Sequence, residues 1–257
     1  MDPDFREALV ARKPVVGNWI SLAHPAIAET SAGLDFDFVV IDTEHTSISV
    51  DELESMIRAT DAGDGGTAPI VRLPDHDPGR IKRALDMGAA GLMFPMVETA
   101  EEAERIVESM RYPPEGRRGA APARASGYGR TFGEYFENAN EGIATIVQIE
   151  TERAVENIEG ILAVDGVDAI QVGQGDLSAS VGAFGEWEDD AFRDALSRAV
   201  EAADEAEVPV GMLALDAEGI DRWLDAGVDF MTVGVDVAYL QDGAREAKAH
   251  FEDAVDE

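Results

Sequence analysis

Eight short apolar runs, separated by helix-patterned segments, constrain this chain more tightly than any other feature of its sequence. The first four occupy residues 15–20 (VVGNWI), 38–42 (FVVID), 69–73 (PIVRL) and 91–95 (GLMFP). The second four occupy 144–149 (ATIVQI), 169–173 (AIQVG), 208–213 (VPVGML) and 230–234 (FMTVG). Runs this short and this apolar fit strands covered on both faces, as parallel sheets require. Between them apolar residues recur at i, i+3 and i+4, most clearly over 100–110, 151–164 and 189–207, which predicts amphipathic helices. Strand and helix in alternation predict an α/β fold, and eight repeats predict a closed (β/α)₈ TIM barrel. Gly33, Gly88 and Gly227 stand just past helical patterns, where a left-handed cap favours glycine.

The whole chain, 1–257, reads as one barrel domain, because its length suits an α/β barrel and 45% hydrophobic residues suffice for a core. A Gly-, Pro- and Arg-rich insertion at about 111–142 is too long for a plain connection and reads as a lid or an oligomer contact. A last helix at about 237–254 either closes the barrel bottom or packs on a partner subunit. The roughly 20 consecutive apolar residues that span a bilayer occur nowhere. The opening MDPDF is acidic rather than signal-like, so a soluble cytoplasmic protein without membrane partners is expected.

The absence of cysteine excludes disulfides, thiolate metal sites and cysteine nucleophiles. A formal charge of −33, from 53 acidic and 20 basic residues, argues against nucleic acid binding, which needs a basic face. It is also the composition expected of a halophilic protein, in which salt screens self-repulsion.

Barrel chemistry sits at the C-terminal ends of strands, so residues just past each run carry the functional reading. These are Asp42, Glu44 and His45 after the second run, Arg72 in the third, Gln148 and Glu150 at the fifth, and Gly173 to Asp176 after the sixth. Glu150 and Asp176 follow consecutive strands, and two converging carboxylates repel unless a cation or proton lies between them. Oxygen donors of this kind suit Mg²⁺ or Mn²⁺, although each residue also reads as a helix N-terminal acid. His45 stands where Asp42 or Glu44 can orient it for proton transfer, or it is a loop histidine bonded to a carboxylate. His24 and His76 also follow strands, but the His-X-His spacing of barrel zinc hydrolases is missing; His250 reads as surface.

Arg72 lies inside an apolar run and needs an anion: Asp42, Asp86 or a substrate carboxylate. The glycine-flanked segment leading into Asp176 offers backbone N–H groups to an anion. Lys13, Lys82 and Lys248 are the three lysines and none lies in a strand run, so Schiff-base chemistry in the mouth is not expected.

The motifs IDTEH (41–45), IVRLP (70–74), KRALDMGAAGLMFPMVETAEEA (82–103), RYPPEGRRG (111–119), QIET (148–151) and GDLSAS (175–180) resemble the class II pyruvate aldolases of the 4-hydroxy-2-oxoheptanedioate aldolase family. The resemblance runs from about Gly17 to about Gly234. It implies a barrel of the phosphoenolpyruvate/pyruvate type that cleaves a 4-hydroxy-2-oxo acid or 2-keto-3-deoxy sugar acid to pyruvate and an aldehyde, in carbohydrate-acid or aromatic catabolism. It implies a divalent metal, Mg²⁺ or Mn²⁺ with Co²⁺ as a further option, held by Glu150 and Asp176. It gives Gln148, Arg72, Asp176 and the backbone of Gly175 to the substrate. His45 matches the catalytic base, Asp86 the carboxylate that raises its basicity, and Arg72 the cation that stabilises the enolate, with Asp42 as further support. A homohexamer is implied as well.

The chain departs from the family at Gly173-Gln174-Gly175, where Gly-Pro and a small residue are common. Two alternatives stand beside the aldolase: a CoA-thioester lyase of the citrate lyase β or malyl-CoA type, for which no basic patch is evident, and a non-catalytic binding barrel. A sugar-phosphate isomerase fits poorly, because Gly234-Val-Asp236 is acidic where phosphate would bind.

Overall fold

The computed structural model describes residues 3–63 and 66–256, so readings that fall on Met1 and Asp2 lie outside it. The predicted runs form strands β1 (Val15–Ile20), β2 (Phe38–Asp42), β3 (Ala68–Arg72), β4 (Gly91–Phe94), β5 (Ala144–Ile149), β6 (Ala169–Val172), β7 (Val210–Ala214) and β8 (Phe230–Val235). They pair in parallel and in chain order into a closed barrel, with β8 returning to β1. The helices begin with α1 (Pro3–Val10), α2 (Pro25–Ala32), α3 (Val50–Asp61), α4 (Pro78–Met87), α5 (Ala100–Met110) and α6 (Phe132–Gly142). They continue with α7 (Glu152–Glu156), α8 (Ile158–Leu162), α9 (Gln174–Ser180), α10 (Asp190–Glu205), α11 (Ala217–Asp225) and α12 (Asp236–Asp256). Among the described residues no helix is long and apolar enough to cross a membrane.

Pairing register and strand tilt together set which side chains share a level of the interior, because a level draws on alternate strands. The uppermost closed level holds Trp19, Arg72, Gln148 and Leu213. The level beneath holds Val40, Met93, Gln171 and Thr232. The floor is apolar: Phe5 and Leu9 of α1 pack with Val15, Phe38, Ala68 and Phe230 and plug the N-terminal end. A second apolar layer fills the space between strands and helices, with Ile41, Val71, Leu92, Ile149 and Ile170 meeting Met56, Ile81, Ile106, Ile158 and Phe192.

Three expectations are corrected. The helix predicted over 151–164 is broken into α7 and α8 at Asn157, whose φ of −101° and ψ of 10° leave the helix while its side chain donates to Glu98 O. Gly88 and Gly227 are left-handed as predicted, but Gly33 has φ −79° and Asp35 takes the positive φ instead. The lid reading of 111–142 fails on direction: this segment leaves the lower end of α5 and delivers the chain to the start of β5. It holds a 3₁₀ turn (Arg124–Ser126) and α6, and Arg124 bonds Met87 O and Asp61 at the lower ends of α4 and α3. Both ends of the insertion and its 3₁₀ turn therefore lie at the lower end of the barrel, while Arg117–Gly119 run along the outside of α4 beside Lys82, Gly79 and Pro78. In α12 the first turn packs on β1 and β8, and residues 239–255 are exposed.

Candidate active site

The mouth is organised around Arg72, which β3 carries on the same level as Trp19 and Gln148. Its fork meets Asp42 at the end of β2: Nε donates to Oδ1 at 2.9 Å and Nη2 to Oδ2 at 2.7 Å. The guanidinium lies over the Trp19 ring, 4.7 Å from its centroid. Of the anions the sequence offered to Arg72, the structure selects Asp42 and adds Glu44. Glu44 Oε2 lies 2.7 Å from Nη1, close enough for ion pairing, yet this buried oxygen makes no aligned hydrogen bond. Nη1 is thus the arm of Arg72 turned away from Asp42 and towards Glu44. Burial pushes the Glu44 carboxyl up, Arg72 and His45 pull it down, and Asp42 and Asp176 push it up again.

Glu150 follows β5 and is 3% exposed, so it is no solvated helix-end acid; Thr151 performs that capping instead. Its Oε2 accepts from Met96 N at 2.8 Å, and its Oε1 stands over Gly173, where any Cβ would overlap it. Burial pushes its carboxyl up to about 7, the Met96 N–H opposes this, and the Glu44 and Asp176 charges reinforce it. Asp176 sits in the first turn of α9 and is exposed. A buried carboxylate raised by two like neighbours is a donor set that a divalent oxygen-loving cation complements. Among the described residues no group of three or more His, Asp or Glu has metal-holding geometry, so a metal here would take its remaining ligands from water or substrate. Gln174, the departure from the usual proline, donates to Leu213 O at 2.7 Å and ties this loop to β7. The space that a Cβ at Gly175 would enter is open.

Residues 16–242 match the HpcH/HpaI aldolase/citrate lyase family. The chain belongs to that family. It is 40% identical to the 4-hydroxy-2-oxovalerate aldolase of Novosphingobium aromaticivorans, over 98% of this chain and 95% of that one. It is 39% identical to the hydroxypyruvate/pyruvate aldolase of Paraburkholderia phytofirmans, over 95% of each. The crystal structure of an HpcH/HpaI aldolase/citrate lyase family protein from Burkholderia cenocepacia superposes with a TM-score of 0.93 at 35% identity, covering 97% of this chain and 99% of that one.

Not every residue read from the sequence of this HpcH/HpaI chain reaches the mouth. The His45 side chain is 68% exposed, and its nearest carboxylate is Glu44, 3.7 Å from Nε2. Asp42 accepts from the backbone N–H of Glu44 at 3.0 Å and of His45 at 3.4 Å, so it shapes the loop rather than holding the ring. Asp86 is not beside His45 in this chain. It lies near the lower end of α4 and takes a hydrogen bond from Arg118, which is sealed between Tyr112 and Tyr135. His24 caps α2 through Nδ1 and His76 bonds Pro95 O, and among the described residues neither belongs to a group of three or more candidate metal ligands. All three lysines lie off the barrel strands. Glu44 was legible only as a neighbour of His45. The Met96 N–H and the Gln174 anchor had no sequence signal, because both depend on which loops meet.

Proposed function

We propose that this chain is a divalent-metal-dependent class II aldolase that cleaves a 4-hydroxy-2-oxo acid to pyruvate and an aldehyde. The observation that carries the reading is Glu150, buried and raised towards neutrality beside Glu44 and Asp176, two residues beyond Gln148 on the mouth side of β5. Glu150 and Asp176 are the residues that would hold the metal. When bound, Mg²⁺, Mn²⁺ or Co²⁺ supplies Lewis-acid polarisation of the 2-oxo acid's carboxylate and keto oxygens.

The chain's own groups supply the rest. Gln148 and the backbone around Gly175 orient the oxo acid. Proton removal from the 4-hydroxyl, with His45 as the base, breaks the bond between carbons three and four. The electron pair moves onto the keto oxygen, the aldehyde leaves, and the Arg72 charge stabilises the enolate. Protonation of carbon three then gives pyruvate. Asp42 holds Arg72 in register throughout.

Asp86 can serve His45 only across an interface, since one chain keeps them apart. This fits assembly with further copies, a hexamer by resemblance. The exposed Leu240, Phe251 and Val255 of α12 offer an apolar stripe for such contact. We place the working enzyme in a cytoplasm of high salt, which predicts an unfolding midpoint that rises with KCl.

The test is pyruvate release from a panel of 4-hydroxy-2-oxo acids and 2-keto-3-deoxy sugar acids, at high salt, with and without chelator. Metal-dependent release that falls at least about 10³-fold in Glu150→Gln and Asp176→Ala is expected. Release unaffected by exhaustive chelation overturns the metal mechanism. Release only from a CoA thioester transfers the reading to the lyase branch.

A further inference from the structure

Beneath the site the barrel carries a second polar level. Gln171 of β6 and Thr232 of β8 sit there with Val40 and Met93, directly under Arg72 and Gln148. Gln171 is 2% exposed and Thr232 fully buried, whereas barrel interiors usually fill such positions with branched apolar side chains. Three oxygens here are shut off from solvent and have no hydrogen-bond partner: Gln148 Oε1, Gln171 Oε1 and Thr232 Oγ1. Gln171 Oε1 lies over Gly211, where a Cβ would stand 2.6 Å away, so no side chain on β7 at that point can reach in to satisfy it. Left dry, three such groups on adjacent levels of the interior would each bear an uncompensated desolvation cost.

Their donor and acceptor complement matches one water molecule. Two carboxamide oxygens accept and one hydroxyl donates, while a water donates twice and accepts. We propose that Gln171 and Thr232 hold an internal water beneath the site, and that this water donates to Gln148 Oε1 and fixes Gln148 Nε2 as a donor towards the 2-oxo acid. The inference rests on the reading of Gln148 as a substrate-binding residue. A carboxamide with nothing on its oxygen can turn over and present that oxygen to an anion; one bonded from below presents only its N–H groups. Gln171 and Thr232 are positioning residues, because they touch no reacting atom.

The test combines a high-resolution crystal structure with calorimetric titration of pyruvate into the Mg²⁺-loaded protein. Thr232→Val keeps the shape and removes the hydroxyl; Thr232→Ser restores it. Expected are density for one water within reach of all three oxygens and about tenfold weaker pyruvate binding in Thr232→Val. Mg²⁺ affinity should hold, KM should rise more than kcat falls, and Thr232→Ser should recover binding. Gln171→Met supplies the same readout where Thr232→Val does not fold. Gln148→Met separates the two readings. Weakened pyruvate binding in Gln148→Met with none in Thr232→Val or Gln171→Met overturns the water and keeps the site. Unchanged binding in Gln148→Met overturns the placing of Gln148 and this inference with it, as does density showing the three oxygens paired to protein groups.

Discussion

At the N-terminal end of the barrel Arg6 forks onto Asp168 and Arg12 onto Asp229, and each of those carboxylates also accepts a strand N–H, from Thr145 and from Val210. At the mouth, among the described residues, Arg72 is the one guanidinium paired with the acids that surround it: Asp42 is matched, while Glu44, Glu150 and Asp176 leave negative charge in excess. At the floor Arg6 and Arg12 are each forked onto a carboxylate that also holds a strand, and Arg12 reaches Asp204 as well, so the pairs serve to tie the chain together. At the mouth half-buried Glu44 and buried Glu150 have no fork of their own, and that is what a cationic ligand would correct. Charge of the same chemistry therefore marks stability at one end of the barrel and binding at the other.

The largest test of that contrast is Arg72→Ala. It strands Asp42 without its fork in a closed environment and should lower stability by about 3–5 kcal/mol besides abolishing pyruvate release. Chemical denaturation read alongside turnover checks both.

The second is pH. Glu150 titrates near 7 in the folded chain against 4.5 for an ordinary carboxyl, so the folded state holds its proton more tightly. Its contribution to stability is complete below about 4.5 and is lost as pH rises through about 7. Metal-free wild type should lose up to about 3 kcal/mol across that window relative to Glu150→Gln. Parallel stability profiles for the two proteins would sink this account of the mouth.

Next is Gly173→Ala, whose Cβ overlaps Glu150 Oε1. Titration with Mn²⁺ should show affinity weakened by roughly 10–100-fold, with a metal-free stability loss of about 1–3 kcal/mol because Glu150 Cγ and Cδ must shift too. Smallest is Arg6→Ala at the floor, where Arg6 is partly exposed and Asp168 keeps its Thr145 N–H. It should cost about 1–2 kcal/mol with kcat and KM unaltered. A large kinetic effect there would break the division between the two ends.

The barrel was legible because its strands are buried on both faces, and such burial leaves continuous apolar runs such as FVVID and ATIVQI. Glu150 and Asp176 stood out as carboxylates just past apolar runs, where helix N-terminal acids also belong; burial sets Glu150 apart from that structural reading, whereas Asp176 does lie exposed in the first turn of α9. Arg72 was legible as a cation needing an anion, but not which anion. The Phe5 and Leu9 plug escaped notice because α1 is short and its partners lie on strands far along the chain. Gln171 and Thr232 stood in plain view in AIQVG and FMTVG. What hid them was register: only the pairing of β6 through β7 to β8 places them on one level.

The sequence by itself determined the eight-fold alternation, the chemical types at the strand ends and the exclusion of cysteine and lysine chemistry. These follow from local pattern and from residue identity, which need no partner. The tertiary structure decided that Glu44 joins Arg72, that Asp86 leaves His45 for Arg118, that Gln174 anchors the loop before Asp176, and that Arg124 of the insertion is tied to the floor. Each of those is a contact between segments distant in sequence, fixed by strand order, barrel tilt and helix direction, and no residue carries that information alone.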